Sequence, residues 1–525
     1  SYSTILVTNM KTIRSSTLKL LEKFIEQGGN VVFCGNPPEL VNAIPSHKAE
    51  ILAKKTVAIP EKGDYLLNYL NDKVRRLSIC DEQNNELKNV LYQLREDEQG
   101  YYLFICNTGY NEKQLIIPEK NDPTLVRERN EKHPDVHIKW HEKMLPEVLE
   151  LDLSSGTFSA IKMQKRGGIA EIKTELSPIE GRMFFLSKKS LNFEYPEKIR
   201  LKEIAKSEIN MQNCNIQLSE PNVLVLDYPA YKIADSETWN DPNEILRIDM
   251  YVRDSLNLNR RGGQMLQPWA KKKKNDPKSI MVDLEYSFNA DYIPENDVFI
   301  ALECPETFSI TLNGTPIDTD NIVGWWVDKS LQKIKIPADS IKNGENILQL
   351  SCNYSEEHSG LEIIYLLGDF GVELSEGRVL LNNPIETLKI GDWVPQGLPF
   401  YSGAVSYNTK INLSQDRDKK YFLYIPEYRG TAIEVNVNGK SAGSILWRPN
   451  EVEITELLKN GENLLKIEVV SHRRNSHGPL HHNEKWPEWT GPWQFTTEND
   501  EWQNEYQLVP CGLMKTPEII IKKGI

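Results

Sequence analysis

Residues 433–442 read IEVNVNGKSA, and residues 452–470 read VEITELLKNGENLLKIEVV. The chain carries this text twice: FSITLNGTPI stands at 308–317 and KIKIPADSIKNGENILQLS at 333–351. In each copy an alternating apolar–polar segment, the mark of a half-buried strand, runs into an Asn-Gly pair, Asn313-Gly314 or Asn438-Gly439. Asn-Gly tolerates positive φ at both central positions, which a tight hairpin needs. A second turn, Asn-Gly-Glu-Asn at 343–346 or 460–463, leads into another strand. The match of KNGENILQ to KNGENLLK implies two copies of one fold. Two β-sandwich domains are expected, at about 191–375 and 376–525.

Upstream of the copies the pattern differs. Thr4–Thr8 (TILVT) is a β-branched run, followed by a helix with apolar positions at Leu18, Leu20, Leu21, Phe24 and Ile25 and with Ser15 or Ser16 as its expected cap. Gly28-Gly29 ends it before the apolar strand Val31–Cys34. Strand, helix and strand with short links make a βαβ unit, hence a parallel pair. A second helix is expected near Tyr65–Arg75, and residues 1–78 read as a partial α/β domain. No Gly-x-Gly-x-x-Gly follows the first strand, so no nucleotide site is read there. Residues 79–190 carry seven expected short strands: Val90–Leu94, Tyr101–Cys106, Gln114–Ile117, Val148–Leu153, Thr157–Met163, Ile169–Lys173 and Arg182–Leu186. This is the pattern of a β-sandwich, with Lys120–Glu142 read as a polar loop within it.

With 525 residues the chain needs several cores. Its 62 Lys and Arg against 75 Asp and Glu give a net charge of −13, which argues against nucleic-acid partners. The one basic run, Lys271–Lys274, reads as a solvated loop. No stretch approaches the roughly 20 apolar residues of a membrane span. Seven scattered cysteines form no CxxC and no disulfide framework, which suits a reducing compartment, and a cytoplasmic location is expected. No signal peptide is visible. The chain starts at Ser1 rather than Met, so a signal could lie upstream.

The twin hairpin-and-NGEN text resembles the galactose-binding-like jelly-roll modules of large glycoside hydrolases. Gly391-Asp392-Trp393, Gly397–Gly403 and Tyr407 look like the Trp-rich approach to such a module, and Leu508–Leu513 like its final strand. Phe24–Gly35 (FIEQGGNVVFCG) resembles a flavodoxin-like accessory domain. Tyr101–Asn107 with Val148–Gly156 resembles the β-domain that follows it. The whole order is similar to the C-terminal half of multidomain α-L-rhamnosidases of glycoside hydrolase family 106 and their relatives. The resemblance implies a multidomain, mainly β chain: a partial flavodoxin-like α/β domain, a β-sandwich and two jelly rolls. Nothing reads as a (β/α)8 barrel, which takes about 250 residues. The resemblance therefore places the catalytic barrel and its carboxylate pair upstream, and this chain alone is expected to be inactive.

Residues 471–495, SHRRNSHGPLHHNEKWPEWTGPWQF, hold four of nine histidines and three of eleven tryptophans. A zinc reading fails, because Gly478-Pro479 between His477 and His481 forbids the helix that would align them. No metal or other cofactor is expected, although structural calcium stays open in such sandwiches. Glu484 and Glu488 do not establish a catalytic pair by spacing alone. Sugar contact fits the composition best: Trp486, Trp489 and Trp493 offer faces for stacking, with Arg474, Asn475, His477, His481, His482 and Glu484 as a polar edge. The alternative is that these rings seal a domain interface. Trp326 is the matching candidate in the first copy, where alternation should bury one ring of Trp325-Trp326 and expose the other. The expected partners are a carbohydrate and the upstream barrel. Two rival readings are a free-standing carbohydrate-binding protein and the tail of a β-galactosidase-like enzyme.

Overall fold

Strand pairing shows which of these segments share a core. The computed structural model describes residues 2–524 except 62, 110–130, 142–146, 154, 167–168, 192–193, 198, 200, 212–213, 235, 262–276, 376–377, 485–490 and 496–498. The expected strand Gln114–Ile117 and the Lys271–Lys274 run fall outside them. Among the described residues the chain is multidomain and mainly β, with four separate cores. No described helix is long and apolar enough to cross a membrane.

The opening unit is a parallel sheet in which Asn30–Cys34 lies between Thr4–Thr8 and Val57–Ile59. The helix Ser15–Glu26 covers it with Leu18 and Leu21, and Gly28 at φ +86° ends that helix. The cap position is Arg14, not a serine. Asn42, from another loop, accepts the Ser15 N–H at 3.0 Å, so a distant side chain satisfies one of the open amides of the first turn. A helix spans Tyr65–Lys73.

The small sandwich packs two sheets around Trp140, Phe184, Leu103 and Ile138. Its strand Leu77–Cys80 pairs with His133–Trp140, so the sandwich begins slightly before residue 79. His133–Trp140 also corrects the reading of 120–142 as loop. Its charged and histidine residues hide an alternation in which Val136, Ile138 and Trp140 are buried.

The two copies of the repeat lie in two sandwiches that are nested rather than consecutive. The inner one opens with Asn222–Leu226 and closes with Arg378–Asn382; its core holds Tyr286, Phe288, Ile300 and Leu366. The outer one takes strands from both sides of it. Cys214–Leu218 pairs with Ala404–Leu413, and Leu201–Glu208 pairs with the last strand, Glu518–Gly524. The boundary expected at 375/376 is therefore corrected: residues 201–218 belong with the C-terminal sandwich, and the inner one is inserted into it. Leu508–Leu513 is not the final strand; its end, Gly512–Leu513, forms a short pair with Tyr428–Arg429. Trp393, Tyr401 and Tyr407 are fully buried in the outer core.

The repeat itself folds alike in both. Phe308–Leu312 pairs with Gly344–Ser355, and Ala432–Val437 with Gly461–Val470. Asn313-Gly314 have φ of 52° and 81°, Asn438-Gly439 53° and 79°. The asparagines then build one network twice. Asn346 Nδ2 donates to the Lys342 and Gly344 carbonyls, and its Oδ1 accepts from the Lys342 N–H and from Asn313 Nδ2 at 2.9 Å. Asn463 donates to Lys459 and Gly461 and accepts from the Lys459 N–H and from Asn438 Nδ2 at 2.8 Å. Both amides are fully buried with every donor and acceptor met, which is the condition under which a buried polar group stabilises a fold.

Candidate functional site: the seam between the two large sandwiches

Leaving the strand Gly461–Val470, the chain crosses onto the inner sandwich. Trp326 is buried there and Trp325 about half exposed, as the alternation expects. His477 lies against Trp326 and Tyr365, with ring centroids 5.2 and 5.1 Å away. Burial lowers the His477 pKa to about 4, with Arg473 adding to the effect, so the ring packs as a neutral plate. Arg473 pairs with Glu220 and lies 5.7 Å over the Trp326 ring. The Tyr365 hydroxyl donates to the Ser476 carbonyl at 3.2 Å, and the Ser476 hydroxyl meets that of Ser402 at 2.7 Å.

Deeper in the seam, Asp227 ends the buried strand Asn222–Leu226 and is itself 1% exposed. It accepts from the Tyr506 hydroxyl at 2.7 Å and pairs with His481 at 3.1 Å. Burial opposes charge on His481, but the bond and charge of Asp227 prevail and hold its pKa above the usual 6.5. Trp502 closes the group, stacked on Tyr228, with the Arg247 guanidinium 4.2 Å from its ring centroid. Glu244 caps the helix Ile245–Ser255, accepting from the Leu246 and Arg247 N–H groups at 3.1 Å each. Burial, with Asp227 as a lesser cause, raises its pKa to about 8.

The expected contact residues thus separate. Asn475, His481 and His482 are buried. Asn475 exchanges two hydrogen bonds with Val509, at 2.8 Å each, and His482 Nδ1 accepts from the Glu484 N–H at 3.0 Å. The Glu484 side chain is exposed. Both terminal nitrogens of Arg474 are buried with no hydrogen-bond partner among the described residues, and burial lowers its pKa to about 10. Trp486 and Trp489 lie outside the described residues. Trp493 falls in the short helix Pro492–Phe495, and its ring is also outside them.

Sequence reasoning missed Asp227, Glu244, Trp502 and Tyr506. One signal for Asp227 was legible: an acid directly after the apolar run Val223–Leu226. The space lined by Asp227, Glu244, Leu480 and His481 is about 10 Å³, room for about one water. Chemically, this arrangement can hold two modules together; a sugar ring does not fit between its acids.

The comparisons with solved structures give partial superpositions. The chain is similar to a rhamnosidase from Novosphingobium sp. PP1Y at 11% identity and a TM-score of 0.42, over 97% of this chain and 33% of that one. It is similar to a Streptomyces avermitilis α-L-rhamnosidase complexed with L-rhamnose at 10% identity and a TM-score of 0.16, over 61% and 39%. A β-D-mannosidase from Dictyoglomus thermophilum gives 13% identity and a TM-score of 0.19, over 50% and 32%. The chain spans about a third of the length of the Novosphingobium enzyme. No protein-family model and no curated protein sequence matches the chain.

Proposed function

We propose that this chain is the accessory, non-catalytic region of a glycoside hydrolase of the α-L-rhamnosidase type. Its two large sandwiches would be galactose-binding-like jelly rolls that support a catalytic barrel and its glycan substrate. The observation that carries the reading is the asparagine network built twice, at Asn313/Asn346 and Asn438/Asn463. It supports reading the two sandwiches as copies of one module, the kind whose NG and NGEN turns led to the resemblance. The seam supports the non-catalytic part, because Asp227 and Glu244 have no substrate-sized space between them. Glycosidic cleavage generally needs two carboxylates flanking the bond, 5 to 10 Å apart.

Within 471–495 the buried Asn475, His481 and His482 and the half-buried His477 brace the seam. The exposed Glu484 remains to reach a sugar together with Trp486, Trp489 and Trp493, whereas the terminal nitrogens of Arg474 are buried. An assay on aryl α-L-rhamnosides tests the function. The pure chain should show no turnover, and the protein that carries the barrel as well should turn them over. Robust hydrolysis by this chain alone would overturn the reading.

A further inference from the structure

Trp447 stands outside the seam, in the loop between the strands Lys440–Ile445 and Glu451–Glu453, and is 39% exposed. It lines a cavity of about 410 Å³ together with Tyr428, Arg429, Arg448, Asn450 and His472. From the small sandwich comes Ile179, 43% exposed and at φ +61°. A β-branched residue in the left-handed region is a strained outlier, a condition that concentrates at ligand clamps. The volume lies within the usual range of small-molecule sites, about 300–1,000 Å³.

Charge narrows what fits. Two guanidiniums, Arg429 and Arg448, line this cavity, and among the described residues no carboxylate does. Arg429 pairs with Glu427 at 3.3 Å, but that acid also pairs with Lys515 at 3.1 Å. Two wall groups register the sign of the field. Burial raises the Tyr428 pKa, and the charge of Arg448 opposes it. Burial lowers the His472 pKa, and the charge of Arg474 lowers it further. No acid perturbs either group among the described residues. A larger cavity adjoins at Leu446 and Trp447, but its acids have cations of their own: Glu150 and Glu180 share Arg182, Glu451 has Lys522 and Glu453 has Lys420. The chain carries a net charge of −13, yet this one wall is positive. Guanidinium is the side chain that grips a carboxylate or sulfate with paired N–H donors. The exposed faces of Trp447 and Ile179 suit a ring that bears such a group.

We infer that this cavity binds an acidic sugar unit, its carboxylate or sulfate held by Arg429 and Arg448 and its ring stacked on Trp447. That the ligand is a sugar rests on the reading of the chain as part of a glycan-processing protein; that it is an anion rests on the lining alone. The proposed function leaves the charge of the glycan open, and this site fixes it as negative. Calorimetry on the full chain tests it, with oligogalacturonate and a sulfated galacto-oligosaccharide as acidic probes and a neutral galacto-oligosaccharide as control. At least one acidic probe should bind at least tenfold tighter than the control, and which one binds tells carboxylate from sulfate. Its affinity should fall several-fold as salt is raised, because the contact is between charges.

Arg429→Gln and Arg448→Gln should each cost at least tenfold in affinity for the acidic probe. Trp447→Ala should cost as much at an unchanged melting temperature. Should an arginine variant lose its fold, Trp447→Ala and Ile179→Gly decide. Glycine is unstrained at the φ of Ile179, so that variant should be at least as stable while affinity falls several-fold. No binding of either acidic probe, equal binding of the neutral control, or parent affinity in the folded variants would overturn the site. Turnover of aryl α-L-rhamnosides, which carry no acid, by the barrel-containing protein reads the proposed function separately. Turnover without acidic binding removes this site and leaves that function standing.

Discussion

Two aromatic-bearing surfaces of the outer sandwich end in opposite states. Residues 471–482 place His477, His481 and Asn475 against the inner sandwich or its own support, with partners for most polar atoms. Trp447 lies in the open, shared by two cavities. A seam between modules must fill a large flat area and pair most of its buried polar groups, so it draws histidines, tryptophans and asparagines into one stretch. A binding wall needs only one ring held exposed at a cavity. Density of unusual residues therefore marks packing here.

Breaking the seam should have the largest effect. Asp227→Ala removes the acceptor of Tyr506 and the partner of His481 inside a buried interface. A loss of about 3–5 kcal/mol is expected, because one member of a buried pair is left uncompensated. Urea unfolding measures it, and a loss below about 1 kcal/mol would mean that the seam does not join the modules.

The asparagine networks come next. Asn463→Ala and Asn346→Ala each strand several buried partners, at about 1–3 kcal/mol for each group left unmet. The account expects similar losses in the two sandwiches, about 2–3 kcal/mol apiece. A large loss in one and none in the other would end the equivalence of the copies.

Smaller still, per pH unit, is the pH dependence. Glu244 is raised from its ordinary 4.5 to about 8. Between those values the folded chain keeps a proton that the unfolded chain gives up, so stability falls as pH rises through this window. His481, held above 6.5, acts with the same sign: its contribution is complete below 6.5 and is lost as pH passes its folded value. One proton contributes at most about 1.4 kcal/mol per pH unit. The unfolding midpoint should therefore fall from pH 6 to pH 9, and Glu244→Gln should flatten the slope. An equal slope in the variant would remove Glu244 from the explanation.

Local turn chemistry made much of this architecture readable. The Asn-Gly pairs announced two hairpins, and Gly28 with Val31–Cys34 announced the parallel unit. What stayed hidden depends on distant pairing. Leu201–Glu208 is an almost wholly exposed edge strand, and nothing local says that it joins Glu518–Gly524. The nesting was invisible for that reason. The histidines of the seam were picked out by their number, but Asp227 lies 254 residues before His481. Trp447 went unnoticed because it is a single ring on a short loop, and only the neighbouring sandwich makes that loop the wall of a cleft.

A paired experiment on His477→Ala and Trp447→Ala, reading urea midpoint and affinity for an acidic oligosaccharide together, tests the division between seam and cleft most directly. The account predicts that His477→Ala lowers stability by about 1–2 kcal/mol with affinity intact, and that Trp447→Ala weakens affinity at least tenfold with stability within about 0.5 kcal/mol of the parent. The opposite assignment, stability lost at Trp447 and affinity lost at His477, would contradict it.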